Sequence, residues 1–272
     1  MQKLRPGPVA HSGFNAGAAF GDRAGALPMI EAIKTLLFDF GGTLDADGVA
    51  WRDRFHALYL DEGMEISAEA FAPAFYAADD PLVGGLQPTT GLSETVHALA
   101  ANLERELARR AEAEGGGAGK QPPERERGKR VASRFLSDMA IVFARNRPVL
   151  EALSEHYQLG VVSNFYGNLE AVCRSSGLAP LFAVVADSQC VGAEKPDPAI
   201  FHAALQALGG APMTTLFVGD SLRRDCEGAR RAGVGFIWIA PQDVLDVEAR
   251  TPASPPVFAA LTRLPDLLTI LK

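Results

Sequence analysis

Cysteine is scarce in this chain of 272 residues, which carries only Cys173, Cys190 and Cys226. An odd number with no C-x-x-C pair argues against both a disulfide scaffold and a zinc finger. No apolar run approaches the roughly 18 residues needed to span a bilayer. The stretch that follows Lys3 and Arg5 is broken by His11, Ser12, Asn15 and several glycines, so it forms no signal-peptide core. Positive charge is in deficit too: 26 Lys and Arg face 33 Asp and Glu, a net charge of −7. That balance lacks the electrostatic footprint of a general nucleic-acid binder. What remains is 47% apolar and 22% charged, long enough to bury a core without covalent staples. The expected setting is the cytoplasm, with reduced thiols and no membrane partner. Nothing in the sequence assigns an oligomeric state.

Residues 1–30 are rich in Gly, Ala and Pro without apolar periodicity and are expected to form a flexible tail. Ile33 to Phe40 is a nearly continuous apolar run closing on Asp39 and then Gly41-Gly42, the pattern of a buried parallel strand entering a tight loop. From residue 148 strands and helices alternate. Strands are expected at 159–163, 182–186, 215–219 and 235–240, with helices at 148–157, 167–175, 198–208 and 224–232. This predicts an α/β fold: a Rossmann-like parallel sheet core built from residues 31–45 and 147–272. Residues 46–146 lack strand signals and read as an inserted helical cap, with helices at 49–61, 67–78 and 92–114. The Gly- and charge-rich run 115–130 is expected to be a disordered loop, with Arg125, Arg127, Lys129 and Arg130 solvated on it. Trp51, Phe55, Phe71 and Phe75 are expected to pack the cap, and Cys190 to be a small buried residue. The histidines at 56, 97, 156 and 202 have no metal-ligand spacing.

Strand ends deliver the polar residues that carry chemistry. The first gives Asp39, the second Ser163 and Asn164, and a later one Asp220 with Asp225 five residues on. Lys195 stands in a loop between them. Carboxylates from different strands suit a magnesium ion, and a hydroxyl, an amide and a lysine would complete a phosphate cradle. One of the carboxylates could instead act as a nucleophile.

In order, Asp39-Phe40-Gly41-Gly42-Thr43, Ser163, Lys195-Pro196 and Gly219-Asp220 with Asp225 resemble the four motifs of the haloacid dehalogenase superfamily of hydrolases. The resemblance covers about residues 33–45 and 148–243. It implies a helical cap between the first and second motifs and a magnesium-dependent transfer of a phosphoryl group from a small phosphorylated substrate to Asp39. Magnesium would be held by Asp39, Asp220, Asp225 and the carbonyl of Gly41. Ser163, Asn164 and Lys195 would bind the phosphoryl oxygens, with Lys195 neutralising developing charge.

One departure stands out. Phosphatases of the family carry a second aspartate two positions after the nucleophile, as the acid and base of the reaction; here that position is Gly41. Loss of such a group costs about 10²–10⁴ in rate, mostly with poor leaving groups. Asp45 or Asp47 is a candidate replacement, although turn residues or a helix N-cap before Val49 describe them better. The alternatives are a weakly active or inactive binding or regulatory protein, and a dehalogenase-like hydrolase. A phosphonate-cleaving enzyme would need a cap lysine, and none occurs between Lys34 and Lys120.

Overall fold

The computed structural model describes residues 30–113, 125–248 and 257–271. The expected N-terminal tail and most of the expected disordered loop lie outside these residues. The chain runs β1 (Thr35–Phe38), α1 (Trp51–Asp61), α2 (Ala68–Asp79), α3 (Leu92–Ala113), α4 (Arg125–Ser154), β2 (Gln158–Ser163), α5 (Leu169–Ser175), β3 (Val184–Asp187), α6 (Ser188–Val191), α7 (Ala199–Leu208), β4 (Thr215–Gly219), α8 (Glu227–Ala232), β5 (Gly235–Ile239), α9 (Gln242–Glu248), β6 (Ala259–Leu261) and α10 (Leu267–Ile270).

The six strands form one parallel sheet in the order β3-β2-β1-β4-β5-β6. β1 and β4 are apolar after an opening threonine and fully buried because helices cover both faces. Leu36, Phe38, Val161, Leu216 and Val218 point into one apolar layer, and Leu37, Val162, Phe217 and Trp238 into the other. The sheet order reverses at β1, where the chain departs to β2 on one side and to β4 on the other. Such a switch point leaves a crevice beyond the strand carboxyl ends, and Asp39 and Asp220 follow directly from β1 and β4.

The helices between β1 and β2 pack on each other through an aromatic cluster. Phe55 lies 4.5 Å from Phe135 and 5.8 Å from Phe75, and Trp51 meets Phe135 edge-on at 5.3 Å. Trp51, Phe55, Phe71 and Phe75 are all buried, as expected of cap-packing residues. Ser67 caps α2 by accepting from the Ala70 backbone N–H.

Two segments differ from their sequence patterns. Residues 125–130, expected to be solvated loop, are the first turns of α4. Arg127 is buried there and meets Glu104 of α3 through two hydrogen bonds of 2.8 and 2.9 Å, while Arg130 pairs with Glu62. Gly128, which reads as a loop residue, lets α3 and α4 approach: a Cβ there would stand 2.8 Å from Glu104 Cγ. The second difference concerns Pro148, expected to open a helix. It lies inside α4, which runs unbroken from Arg125 to Ser154. Arg145 pairs with Asp47 at 2.6 Å and Asn146 donates to the Leu44 carbonyl at 3.1 Å, so side chains brace the helix where the proline removes a backbone donor.

Four short elements were not read from the sequence: α9, the three-residue edge strand β6 and α10, all beyond β5, and α6, a single turn after β3. Cys190, on that turn, is exposed rather than buried, whereas Cys173 and Cys226 are buried. A one-turn helix beyond a strand end has no layer above it.

Candidate active site

Asp39 is the first residue beyond β1, and its carboxylate accepts from the next backbone N–H, that of Phe40, at 2.8 Å. The chain then turns sharply. Gly42 sits at φ +87°, and a Cβ there would lie 2.6 Å from Asp220 Oδ2, so only glycine fits. Gly41 has ordinary angles, φ −73° and ψ 122°. A Cβ at Gly41 would meet the Trp51 indole at 3.4–3.5 Å, an ordinary contact. The missing side chain at position 41 is therefore a chemical absence and not a backbone requirement.

The turn is fastened to the cap by Asp45. This fully buried carboxylate accepts from Gly42 N at 2.6 Å, Trp51 Nε1 at 2.6 Å and Arg54 Nη1 at 2.8 Å. Burial pushes its carboxyl above the ordinary range, and Arg54, the Gly42 amide and Trp51 only partly offset that. Asp47 is engaged by Arg145 through two bonds of 2.6 and 2.7 Å. Neither aspartate lines the cavity above Asp39, and neither caps α1, whose N-cap is Ala50 without a side-chain bond. Both are latches between the β1 loop and the cap, which corrects the N-cap expectation and leaves them no free oxygen aimed at a substrate.

Lys195 lies at the centre of the sheet edge. Its ammonium is buried and stands 2.7 Å from Asp39 Oδ1 and 2.7 Å from Asp225 Oδ1. Burial alone would push the lysine down, but Asp225 and Asp39 outweigh it and hold the group above its ordinary range. Asp225 uses its other oxygen to accept from the Ser221 backbone N–H at 2.9 Å. Asn164 fixes the lysine backbone at both ends: Oδ1 accepts from Lys195 N at 2.7 Å, and Nδ2 donates to Lys195 O at 3.0 Å. The Asn164 side chain, expected to donate to a phosphoryl group, is thus occupied in placing the lysine. Ser163 ends β2 and lines the cavity.

Carboxylate oxygens of Asp39, Asp220 and Asp225 lie within 4.8 Å of one another. Burial drives the Asp220 carboxyl well above its ordinary range, and the neighbouring Asp225 and Asp39 add to the effect. Three carboxylates against the buried Lys195 and the nearby Arg224 leave the cluster short of positive charge, the condition under which a hard divalent cation binds oxygen ligands. The donor set fits magnesium, for which the Asp39 and Asp220 carboxylates could serve as ligands.

Above this edge lies a cavity of about 380 Å³ lined by Asp39, Gly41, Ser163, Lys195 and Asp220 from below, and by Trp51, Arg52, Tyr76 and Asp79 from the cap. Among the lining residues that sequence reasoning missed are Arg224, Asp79 and Tyr166. Arg224 has no ion-pair partner among the described residues; cavity dehydration opposes its charge, but Asp39, Asp225 and Asp220 hold it above the ordinary range. Its place inside the fourth motif, one residue before Asp225, was the available signal. Asp79 and Tyr166, joined by a 2.5 Å hydrogen bond, gave none, because they lie far apart in sequence and meet only in the fold.

Comparison with known proteins agrees with this architecture. A family model described as haloacid dehalogenase-like hydrolase matches residues 33–233. The chain is 40% identical over 89 residues to the bovine haloacid dehalogenase-like hydrolase domain-containing protein 3, covering 33% of this chain and 36% of that one. It is 47% identical over 64 residues to a phosphoserine phosphatase of Thermus thermophilus, covering 24% of this chain and 26% of the relative. It is 31% identical over 130 residues to a glyceraldehyde 3-phosphate phosphatase of Pyrococcus furiosus, covering 46% and 52%. The chain thus spans about a quarter to a half of the length of these relatives. Among solved structures, a dehalogenase with an intermediate complex superposes with a TM-score of 0.54 at 18% identity, covering 88% of this chain and 97% of the other. A HAD-hydrolase of Bacillus subtilis bound to magnesium gives 0.50 at 20% identity, covering 88% and 98%. At these identities the likeness is one of fold.

Proposed function

The chain belongs to the haloacid dehalogenase-like hydrolases, and on that premise we propose that it is a magnesium-dependent phosphatase acting on a small phosphorylated substrate through Asp39. The observation that carries this function is the placement of the Lys195 ammonium 2.7 Å from both Asp39 and Asp225 at the switch point of the sheet. A nucleophilic carboxylate must approach a negatively charged phosphoryl group, and a fixed buried cation beside it lowers that electrostatic cost. Two of the relatives named above are phosphatases, which supports the same class.

In this mechanism a carboxylate oxygen of Asp39 bonds to phosphorus as the leaving oxygen departs on the opposite side. Lys195 and the Ser163 hydroxyl hold two of the equatorial phosphoryl oxygens. Asn164 keeps Lys195 in place, and Asp225 orients its ammonium. Water then releases phosphate and restores the Asp39 carboxylate. Magnesium, held by Asp39, Asp220 and the Gly41 carbonyl beside Asp225, would neutralise phosphoryl charge and align the phosphorus with Asp39. The cap over the cavity favours small substrates and excludes bulk water. Among the described residues, no helix is long and apolar enough to cross a membrane.

The test is phosphate release from acetyl phosphate and from a sugar phosphate, with and without magnesium, for the wild type and Asp39→Asn. The expected result is magnesium-dependent release by the wild type that falls by about 10³-fold or more in the variant, equivalent to about 4 kcal/mol of barrier. Release that survives Asp39→Asn, or no release from either compound, would refute the assignment.

A further inference from the structure

Transfer of a phosphoryl group to Asp39 expels an oxygen that needs a proton, and Gly41 has none to give. Among the described residues the cavity presents four carboxyl groups: Asp39, Asp220, Asp53 and Asp79. The first two belong to the charge cluster on the sheet edge. Asp53 is half exposed and is engaged by the Arg52 guanidinium at 2.7 Å. Asp79 differs from all three. It ends α2 on the cap side of the cavity, has no ion-pair partner among the described residues, and accepts from the Tyr166 hydroxyl through Oδ1 at 2.5 Å.

We propose that Asp79, supplied by the cap, is the general acid and base that replaces the carboxyl absent at position 41; the assignment rests on the phosphoryl transfer proposed above. As the Asp39 oxygen bonds to phosphorus and the ester P–O bond breaks, the Asp79 carboxyl passes its proton to the departing alkoxide, which leaves as an alcohol. The Asp79 carboxylate then takes a proton from the water whose oxygen attacks phosphorus. The P–O bond to Asp39 breaks, phosphate departs, and Asp79 is protonated for the next turnover.

Several features suit Asp79 to the role. Tyr166 engages Oδ1 and leaves Oδ2 for the substrate. Tyr166 itself stays a neutral donor, because its burial and the adjacent Asp79 raise it well above the ordinary phenol range. It stands two residues beyond Asn164, on the loop that also places Lys195, and its carbonyl accepts from the Gly84 backbone N–H at 3.2 Å. The acid is thus registered against the sheet edge. Burial raises the Asp79 carboxyl, Tyr166 lowers it, Asp80 raises it and Arg224 lowers it, with a net rise. A raised carboxyl keeps more of its proton at neutral pH, as a general acid requires. Arg224 is within electrostatic reach of both Asp79 and Asp39, which ties the two ends of the cavity together.

Asp79→Asn tests the assignment, because an amide oxygen still accepts from Tyr166 while the transferable proton is lost. Values of kcat/KM for a sugar phosphate and for acetyl phosphate are compared in the magnesium-loaded protein. The expected outcome is a loss of about 10²-fold or more on the sugar phosphate and less than about 5-fold on acetyl phosphate, whose leaving group needs little proton help. The limb of the sugar-phosphate pH profile set by this acid should vanish in Asp79→Asn and only shift in Tyr166→Phe. Equal losses on both compounds would make Asp79 a positioning residue and overturn the proposal, as would no loss on either. A wild type that hydrolyses neither compound is a separate outcome. It removes the phosphoryl-transfer function, and this proposal with it, before any Asp79 variant is made.

Discussion

At the sheet edge, Asp39, Ser163, Lys195 and Asp220 arrive on short loops at or just beyond strand ends, and the charges satisfy one another within a few ångströms. On the cap wall the polar residues come from helices and are mostly committed elsewhere. Arg52 is held by Asp53 and Tyr76, and beneath this wall the loop residues Asp45 and Asp47 hold Gly42, Trp51, Arg54 and Arg145. Asp79 enters the cavity from this wall without an ion-pair partner among the described residues. The sheet edge is fixed by backbone geometry that parallel pairing dictates. The cap wall is fixed by side-chain latches, so its chemistry depends on which polar groups remain uncommitted.

The largest effect expected from breaking this contrast is on the sheet side. Lys195→Met leaves Asp39 and Asp225 buried without their shared cation, and removing one partner of such a cluster costs about 3–5 kcal/mol. Denaturant unfolding without magnesium measures that loss, and phosphatase activity should disappear with it. A loss below about 1 kcal/mol would mean the pairs are no stronger than surface ones.

On the cap side, Arg54→Met strips the cation from Asp45 and from its stacking position 4.0 Å over Phe135. The expected cost is about 3 kcal/mol at pH 8, and it should depend on pH. The Asp45 carboxyl is raised above its ordinary 3.8 in the folded protein, so folding takes up a proton. The stability that this carboxyl supplies therefore falls as pH rises from about that value through the elevated one. Without Arg54 the elevation grows, so the gap between variant and wild type should be smaller at pH 5 than at pH 8. Equal gaps in unfolding midpoints at the two pH values would show that Asp45 does not titrate in this range.

The smallest effect sharpens the comparison within one turn. Gly42→Ala meets both a positive φ and the Asp220 carboxylate at 2.6 Å, and should cost about 1–3 kcal/mol together with most activity. Gly41→Ala meets neither and should stay within about 0.5 kcal/mol of the wild type. Thermal melts and phosphate release on the pair distinguish the glycine that shapes the turn from the one that merely lacks a side chain.

The legibility of the sequence followed the same division. β1, β2, β4 and β5 stand within a residue or two of their expected places, because short continuous apolar runs bounded by Asp, Ser, Gly or Pro have few other uses in a parallel sheet. Asp39, Ser163 and Asp220 were nominated from strand ends, Asp225 five residues beyond one and Lys195 from a loop between them, and the fold brings all five to one edge. The cap resisted. Residues 125–130 read as loop from composition, yet Arg127 is buried because Glu104 waits on a neighbouring helix, a partner 23 positions away. Asn164, nominated to donate to a substrate, lines the cavity with its side chain committed to the Lys195 backbone across 31 positions.

The sequence by itself determined the parallel sheet, the helical insertion after its first strand and the charged residues of the sheet edge. Each of these depends on local periodicity and on where a strand must end. Tertiary structure alone decided that Asp45 and Asp47 are latches, that Trp51 packs against position 41, and that Asp79 faces the cavity with Tyr166 behind it. Those outcomes turn on which distant donor reaches a buried carboxylate first, and pairing of that kind is settled by packing rather than by any pattern along the chain.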